Sequence, residues 1–244
     1  MSPVTIGLLG FVVFVTHGLE AITGFGCTVL ALPFVVALIG VQKGVILLAI
    51  IAWLLAMYIA IKYRRSINFR EFGIIVSCVG IGLPVGIYAF SELPAGVLKR
   101  ALGAFIVIAA ATSLLRSRAG RRDGGAVSPI YHSLLVVGGA IHGAFASGGP
   151  FVVLYATKKL PDKGQFRATL CLLWATLNTV LMVTYAHSGL LGPETMGLVG
   201  GMMPFLVAGV IAGERVHGHV NEDLFKKVVF SVLLCVGVTM VLMG

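Results

Sequence analysis

Long apolar runs separated by short polar breaks make up nearly all of this chain: Val4 to Gly40, Gly44 to Ile61, Phe72 to Phe90, Val97 to Leu115, Leu134 to Thr157, Ala168 to Leu191, Met196 to Gly213 and Val228 to Met243. A helix rising about 1.5 Å per residue needs roughly 20 apolar residues to cross a bilayer, so most of these runs predict one spanning helix each. Val97 to Leu115 reaches that length if Lys99 and Arg100 snorkel outward. Two runs are interrupted instead. Val4 to Gly40 breaks at Gly24 and Gly26, and Leu134 to Thr157 breaks at Gly148, Gly149 and Pro150. Each interruption predicts a re-entrant helical hairpin rather than a simple span.

Composition agrees, because 58% hydrophobic and 11% charged residues in 244 positions would leave a soluble fold with almost no polar surface. The expected class is an all-α polytopic membrane protein, and no polar stretch is long enough for a separate soluble domain. Cys27, Cys78, Cys171 and Cys235 lie in apolar runs without CxxC spacing, which indicates neither a disulfide framework nor a zinc site. The formal charge of +9 sits in short loops between spans, so it reads as topology and not as nucleic-acid binding. No cofactor is implied, and the first residues carry neither Lys nor Arg, so cleavage is not expected.

Basic residues orient the spans. Lys62, Arg64, Arg65 and Arg70 form one predicted cytoplasmic loop, and Arg116, Arg118, Arg121 and Arg122 form another. If Leu134 to Thr157 crossed once, the loop with Lys158, Lys159, Lys163 and Arg167 would fall outside; a hairpin entering from and returning to the cytoplasm removes the conflict. The same logic makes Val4 to Gly40 a hairpin entered from outside, and both termini extracytoplasmic. This topology places all the Lys and Arg inside except Lys43, Lys99 and Arg100.

Each half is then a hairpin plus three spans, and three crossings per half force opposite orientations. The expected organisation is a single membrane domain, 1–244, of two inverted repeats, 1–122 and 129–244. Three pairings support a duplication: His17-Gly18 with His142-Gly143, Leu98-Lys99-Arg100 with Phe225-Lys226-Lys227, and Pro84 with Pro204.

Chemistry concentrates at the two breaks. A half-helix ending within the membrane presents unpaired N–H groups and the positive end of its dipole, and glycine allows a ligand close approach. Such an end attracts anions. Second half-helices beginning near Gly26 and Gly149 would converge from opposite sides, with Thr23, Gly24, Thr28, Ser147 and Gly148 alongside and hydroxyl donors among them. The same glycines also suit close helix packing. Asn178 offers two further donors. Glu20 is the one acidic residue inside an apolar run; unpaired, it would cost several kcal/mol or be neutral. It therefore reads as a carrier of a coupled proton, as a partner for His17 or His142, or as a protonated structural group. Arg167, opening a span, is placed to draw anions into a cytoplasmic vestibule. Trp53 and Trp174 read as packing.

Taken together, Gly24-Phe25-Gly26 with Pro33 and Gly40, Ser147-Gly148-Gly149-Pro150, and Arg167-Ala168-Thr169 with Asn178 downstream resemble the TauE/SafE sulfite-exporter family over nearly the whole chain. Cys27-Thr28 departs from that family's glycine cluster. The resemblance implies a secondary transporter, not an enzyme, that exports small anions such as sulfite or organosulfonates across a bacterial plasma membrane. Its partners would be a small anion, the lipid bilayer and protons; a homo-oligomer is compatible with the sequence. Two other readings compete. A metal-ion transporter would use His17, Glu20, His142 and Cys27 as ligands, and an intramembrane hydrolase would use Ser147.

Overall fold

The computed structural model describes residues 2–118 and 129–216, with Leu234, Gly237, Val238, Val241 and Leu242 beyond them. Among the described residues the chain is helical throughout, without a strand: α1 Pro3–Thr23, α2 Cys27–Ile39, α3 Val41–Lys62, a 3-10 turn Arg64–Ser66, α4 Phe69–Glu92, α5 Ala95–Arg118, α6 Ile130–Phe145, α7 Gly149–Lys159, α8 Lys163–His187 and α9 Pro193–Val216. By length and composition α1, α3, α4, α8 and α9 can cross a membrane, and α2 and α6 are shorter apolar helices. The chain is thus a multi-pass membrane protein.

Local signals explain the helix limits. Ser2, Asn68 and Asp162 cap α1, α4 and α8 by accepting from the backbone N–H groups of Thr5, Glu71 and Gln165. Gly24, at φ 80°, ends α1 in the left-handed region, its N–H bonding Glu20 O at 2.7 Å. Ala146 ends α6 the same way, at φ 50°, bonding His142 O at 2.7 Å.

Several boundaries differ from the sequence reading. The basic loop narrows, because the cap at Asp162 starts α8 at Lys163, placing Lys163 and Arg167 on helix, while Lys158 and Lys159 end α7. Arg116 and Arg118 extend α5. Arg121 and Arg122, and most of the run Val228 to Met243, lie outside the described residues. The first hairpin is also unequal. Nothing breaks α1 before Gly24, so it reaches 21 residues against 13 in α2 and is long enough to span, where a half-helix was expected.

The core lies between α3 and α8, where Leu47, Leu48, Ile51 and Leu55 share a buried cluster with Leu173, Leu177 and Leu181. Around it, α1 packs on α9 and α4 on α6. Both of these contacts are built on glycine, as expected where lipid supplies no hydrophobic drive between helices. A Cβ on Gly209 or Gly213 would strike the carbonyl oxygens of Phe14 or Gly18, and one on Gly82 or Gly86 those of Val136 or Ala140. In each pair the contact positions rise together along both helices, so α1 and α9 run in one direction and so do α4 and α6. Two exposed ion pairs join α3 to α9 in the same sense, Lys43 to Glu194 at one end and Lys62 to Glu214 at the other.

The halves share a register. One displacement along the chain carries Glu20 to His142, Gly24 to Ala146 and Gly26 to Gly148, which are the matching cap-bond acceptors, left-handed C-caps and N-caps of the two hairpins. It also carries Phe14 and Gly18 to Val136 and Ala140, while a slightly larger one carries Gly82 and Gly86 to Gly209 and Gly213. This register sets His142 opposite Glu20, whereas the shared His-Gly dipeptide pairs His142 with His17.

Candidate functional site

The two breaks meet beside the middle of α3 and α8, at a small cavity whose water-accessible volume of about 20 Å³ is enough for one water. Glu20, Gly26 and Thr28 line it from the first hairpin, and His142, Ser147 and Gly149 from the second. Asn178 and Trp174 reach it from α8, and Ala52 from α3. Seven of the residues singled out in the sequence therefore converge, drawn from both halves.

Why these side chains sit there follows from the breaks. α2 starts at Cys27 and α7 at Gly149, and the N-cap residue of each, Gly26 or Gly148, supplies no side-chain cap. Gly26 holds φ 98°, a conformation that disfavours any side chain, and its Cβ direction opens on space. A Cβ on Gly149 would meet nothing nearer than Trp174 Cζ2 at 4.0 Å. These two glycines face the cavity. Gly24 and Gly148 serve packing: a Cβ on Gly24 would stand 2.8 Å from Arg167 Cα, and one on Gly148 would strike Gly138 O.

The two helix starts are furnished differently. At α2 the Glu20 carboxyl lies against Cys27, the first residue of the helix, and its Oε2 has no hydrogen-bond partner among the described residues. A protein carboxyl thus already lies against that positive end. Among the described residues Glu20 forms no ion pair with His17 or His142, contrary to one expectation. At α7 the start faces polar groups without a charge. His142 Nε2 lies 3.1 Å from Asn178 Oδ1, and Gly148 N–H donates to His142 Nδ1 at 3.4 Å. Those bonds together define a neutral imidazole protonated on Nε2. Asn178 itself lines the cavity. Ser147 Oγ is buried there without a partner.

Besides Gly24 and Gly148, three candidates lie apart from the cavity lining. His17 is fully buried, its Nδ1 near Val13 O and Thr16 Oγ1, and its Nε2 unpartnered. Thr23 turns its hydroxyl to Leu19 O and Phe25 O within the break. Arg167 stands near the start of α8, over the Tyr63 ring and 3.9 Å from Glu214 Oε1.

Trp174 carries more than the packing expected of it. Its Nε1–H donates to Gly24 O at 3.2 Å, and its ring stacks on His142, 5.6 Å between centroids and 16° between planes. It therefore braces the first break against the second. The signal was present as spacing: Arg167, Cys171, Trp174 and Asn178 share one face of α8. Among the described residues no three His, Cys, Asp or Glu side chains are grouped to hold a metal ion.

The sequence matches the family model described as Sulfite exporter TauE/SafE over residues 8–240. No curated protein and no solved structure gives a significant match.

Proposed function

Because this chain belongs to the sulfite exporter TauE/SafE family, whose members are membrane anion transporters, we propose that it exports a small sulfur oxyanion or organosulfonate through the cavity between the two hairpin breaks. One observation carries this reading most: two helix starts with glycine at the N-cap, and with glycines open to the same space, come from opposite halves of the chain. Exposed N–H groups and helix dipoles favour negative charge without needing a cation. Asn178, Ser147 and Thr28 add donors, and neutral His142 orients Asn178.

The shared register of the hairpins and the exchanged pairings, α1 with α9 and α6 with α4, support two inverted repeats over 1–122 and 129–244. In this arrangement both termini are extracytoplasmic and the end bearing Lys62, Arg64 and Arg65 is cytoplasmic. The bilayer is a bacterial plasma membrane. A cavity of one water's size must widen to admit a sulfonate, so the described conformation is a closed stage of the cycle.

Glu20 is the coupling group. Its ionised carboxylate would occupy the positive end of α2 that the anion needs, so anion loading goes with a protonated Glu20, with Cys27, Cys171 and His142 the titratable side chains near it among the described residues. Uptake of sulfite, sulfoacetate, taurine, sulfate and small carboxylates into proteoliposomes at controlled pH tests the assignment. Saturable uptake of a sulfur oxyanion is expected; uptake of none would overturn it.

A further inference from the structure

We propose that the Nε–Nη2 edge of Arg167 is a second oxyanion seat, separate from the cavity, whose occupancy is controlled by the Lys62–Glu214 ion pair; this rests on the exporter reading above. The Arg167 guanidinium is mostly buried, its side chain 13% exposed, yet poorly satisfied. Nε and Nη2 are fully buried and neither makes a hydrogen bond among the described residues. These two nitrogens form the side-on fork that grips two oxygens of a carboxylate, sulfonate or sulfite at once. Leaving charged donors dry is costly, and an oxyanion on that edge would offset the cost.

The surroundings hold the edge in place. Tyr63 covers one face of the guanidinium, 4.7 Å from Cζ to the ring centroid. The Arg167 backbone abuts Gly24, where a Cβ would not fit, so the first hairpin break fixes the position of the seat. The nearest carboxylate, Glu214, is drawn elsewhere. Lys62 Nζ holds both its oxygens, at 2.8 and 3.0 Å, and Tyr58 and the Lys62 ammonium share a further hydrogen bond of 2.8 Å. At 3.9 Å from Arg167 Nη2, Glu214 Oε1 is beyond hydrogen-bond reach. Lys62 thereby keeps the internal carboxylate from closing on Arg167.

Arg167 also begins the α8 face that continues through Cys171 and Trp174 to Asn178, about 16 Å along the helix axis. A seat at its start and the cavity at its end make two stations on one face. An anion would load first at Arg167 and pass inward when the cavity opens.

Calorimetric titration of the purified full-length protein with methanesulfonate, a monovalent three-oxygen probe, tests this. The wild type should show two sites. Glu214→Gln, which removes the competing charge, should tighten one of them, and Lys62→Met, which releases Glu214 toward Arg167, should weaken the same one, each by about threefold to fivefold, the range of a half-exposed ion pair. Arg167→Lys should weaken it through loss of the fork, and Gly149→Ala should affect the other site alone. These opposite signs do not depend on an Arg167→Gln variant folding. A single site lost in Gly149→Ala and indifferent to Glu214, Lys62 and Arg167 would overturn the seat and leave the exporter reading standing. A single site that responds to Arg167 and Glu214 but ignores Gly149→Ala would uphold the seat and overturn the cavity as the binding site. No binding in any protein would overturn both.

Discussion

Gly148 and Gly149 are neighbours in sequence, yet adding one methyl group to each should have opposite consequences. At Gly148 the new Cβ would overlap Gly138 O and come within 3.0 Å of His142 Cβ. Backbone must move to relieve that overlap, which costs about 1–3 kcal/mol or more. Gly149→Ala meets only the Trp174 ring at ordinary contact distance. At the first position of a helix it should also regain a few tenths to about 1 kcal/mol of backbone entropy and propensity. Its methyl, however, projects into a space of about 20 Å³ and across the N–H groups of α7. Losing one hydrogen bond to a charged ligand costs about 1.5–3 kcal/mol, so anion affinity should fall roughly tenfold to a hundredfold. Size-exclusion profile and thermal unfolding would be measured beside calorimetric affinity for each variant. Gly148→Ala should unfold earlier than wild type, and Gly149→Ala should unfold no earlier while binding anion poorly. A well-folded Gly149→Ala protein with wild-type affinity would refute the helix-start argument.

Other consequences follow from the same contacts. Glu20→Gln should flatten the pH dependence of transport while keeping anion binding, since the neutral amide imitates a protonated carboxyl against α2; a wild-type pH profile would leave Glu20 with structural duty only. Gly82→Val should disrupt the α4–α6 contact against Val136 O and lower the yield of monodisperse protein, whereas Gly80→Val, where a Cβ meets nothing within 4 Å, should not. For topology, a cysteine introduced at Lys159 should resist impermeant reagent in intact cells while one at Glu92 reacts, and the reversed pattern would reject the assigned orientation.

Much of this was legible in the chain because bilayer physics leaves strong marks. Apolar length gives the spans, and Gly24, Gly26, Gly148 and Gly149 give the breaks, since little else stops so apolar a helix. Glu20 and Gly26 converge with His142, Ser147 and Asn178 because the two breaks meet at one cavity. Partner choice was not legible. Glu20 lies against Cys27 at the start of α2 and not against either imidazole, and a one-dimensional reading has no measure of that. Trp174 looked like filler because an indole suits any apolar helix; its N–H bond to Gly24 O exists only once α8 lies across the first break. The roles of the glycines were divided in a way composition hides: Gly24 and Gly148 admit neighbouring backbone, whereas Gly26 and Gly149 open on the cavity. Glu214 escaped notice because Lys62 and Arg167 reach it from distant parts of the chain.

The central claim, that an anion moves outward through this protein, is tested most directly by voltage. With the inside negative by 100 mV, exit of one negative charge is favoured by about 2.3 kcal/mol, equivalent to roughly a fiftyfold concentration ratio. Oriented proteoliposomes loaded with methanesulfonate, cytoplasmic face inward, would be clamped at that potential and at its reverse while loss of the anion is followed. Faster loss at the inside-negative potential, slower loss at the reverse, and little loss at either with Gly149→Ala are the results expected. No loss above that of protein-free vesicles, at either voltage and with or without a pH gradient, would contradict the account.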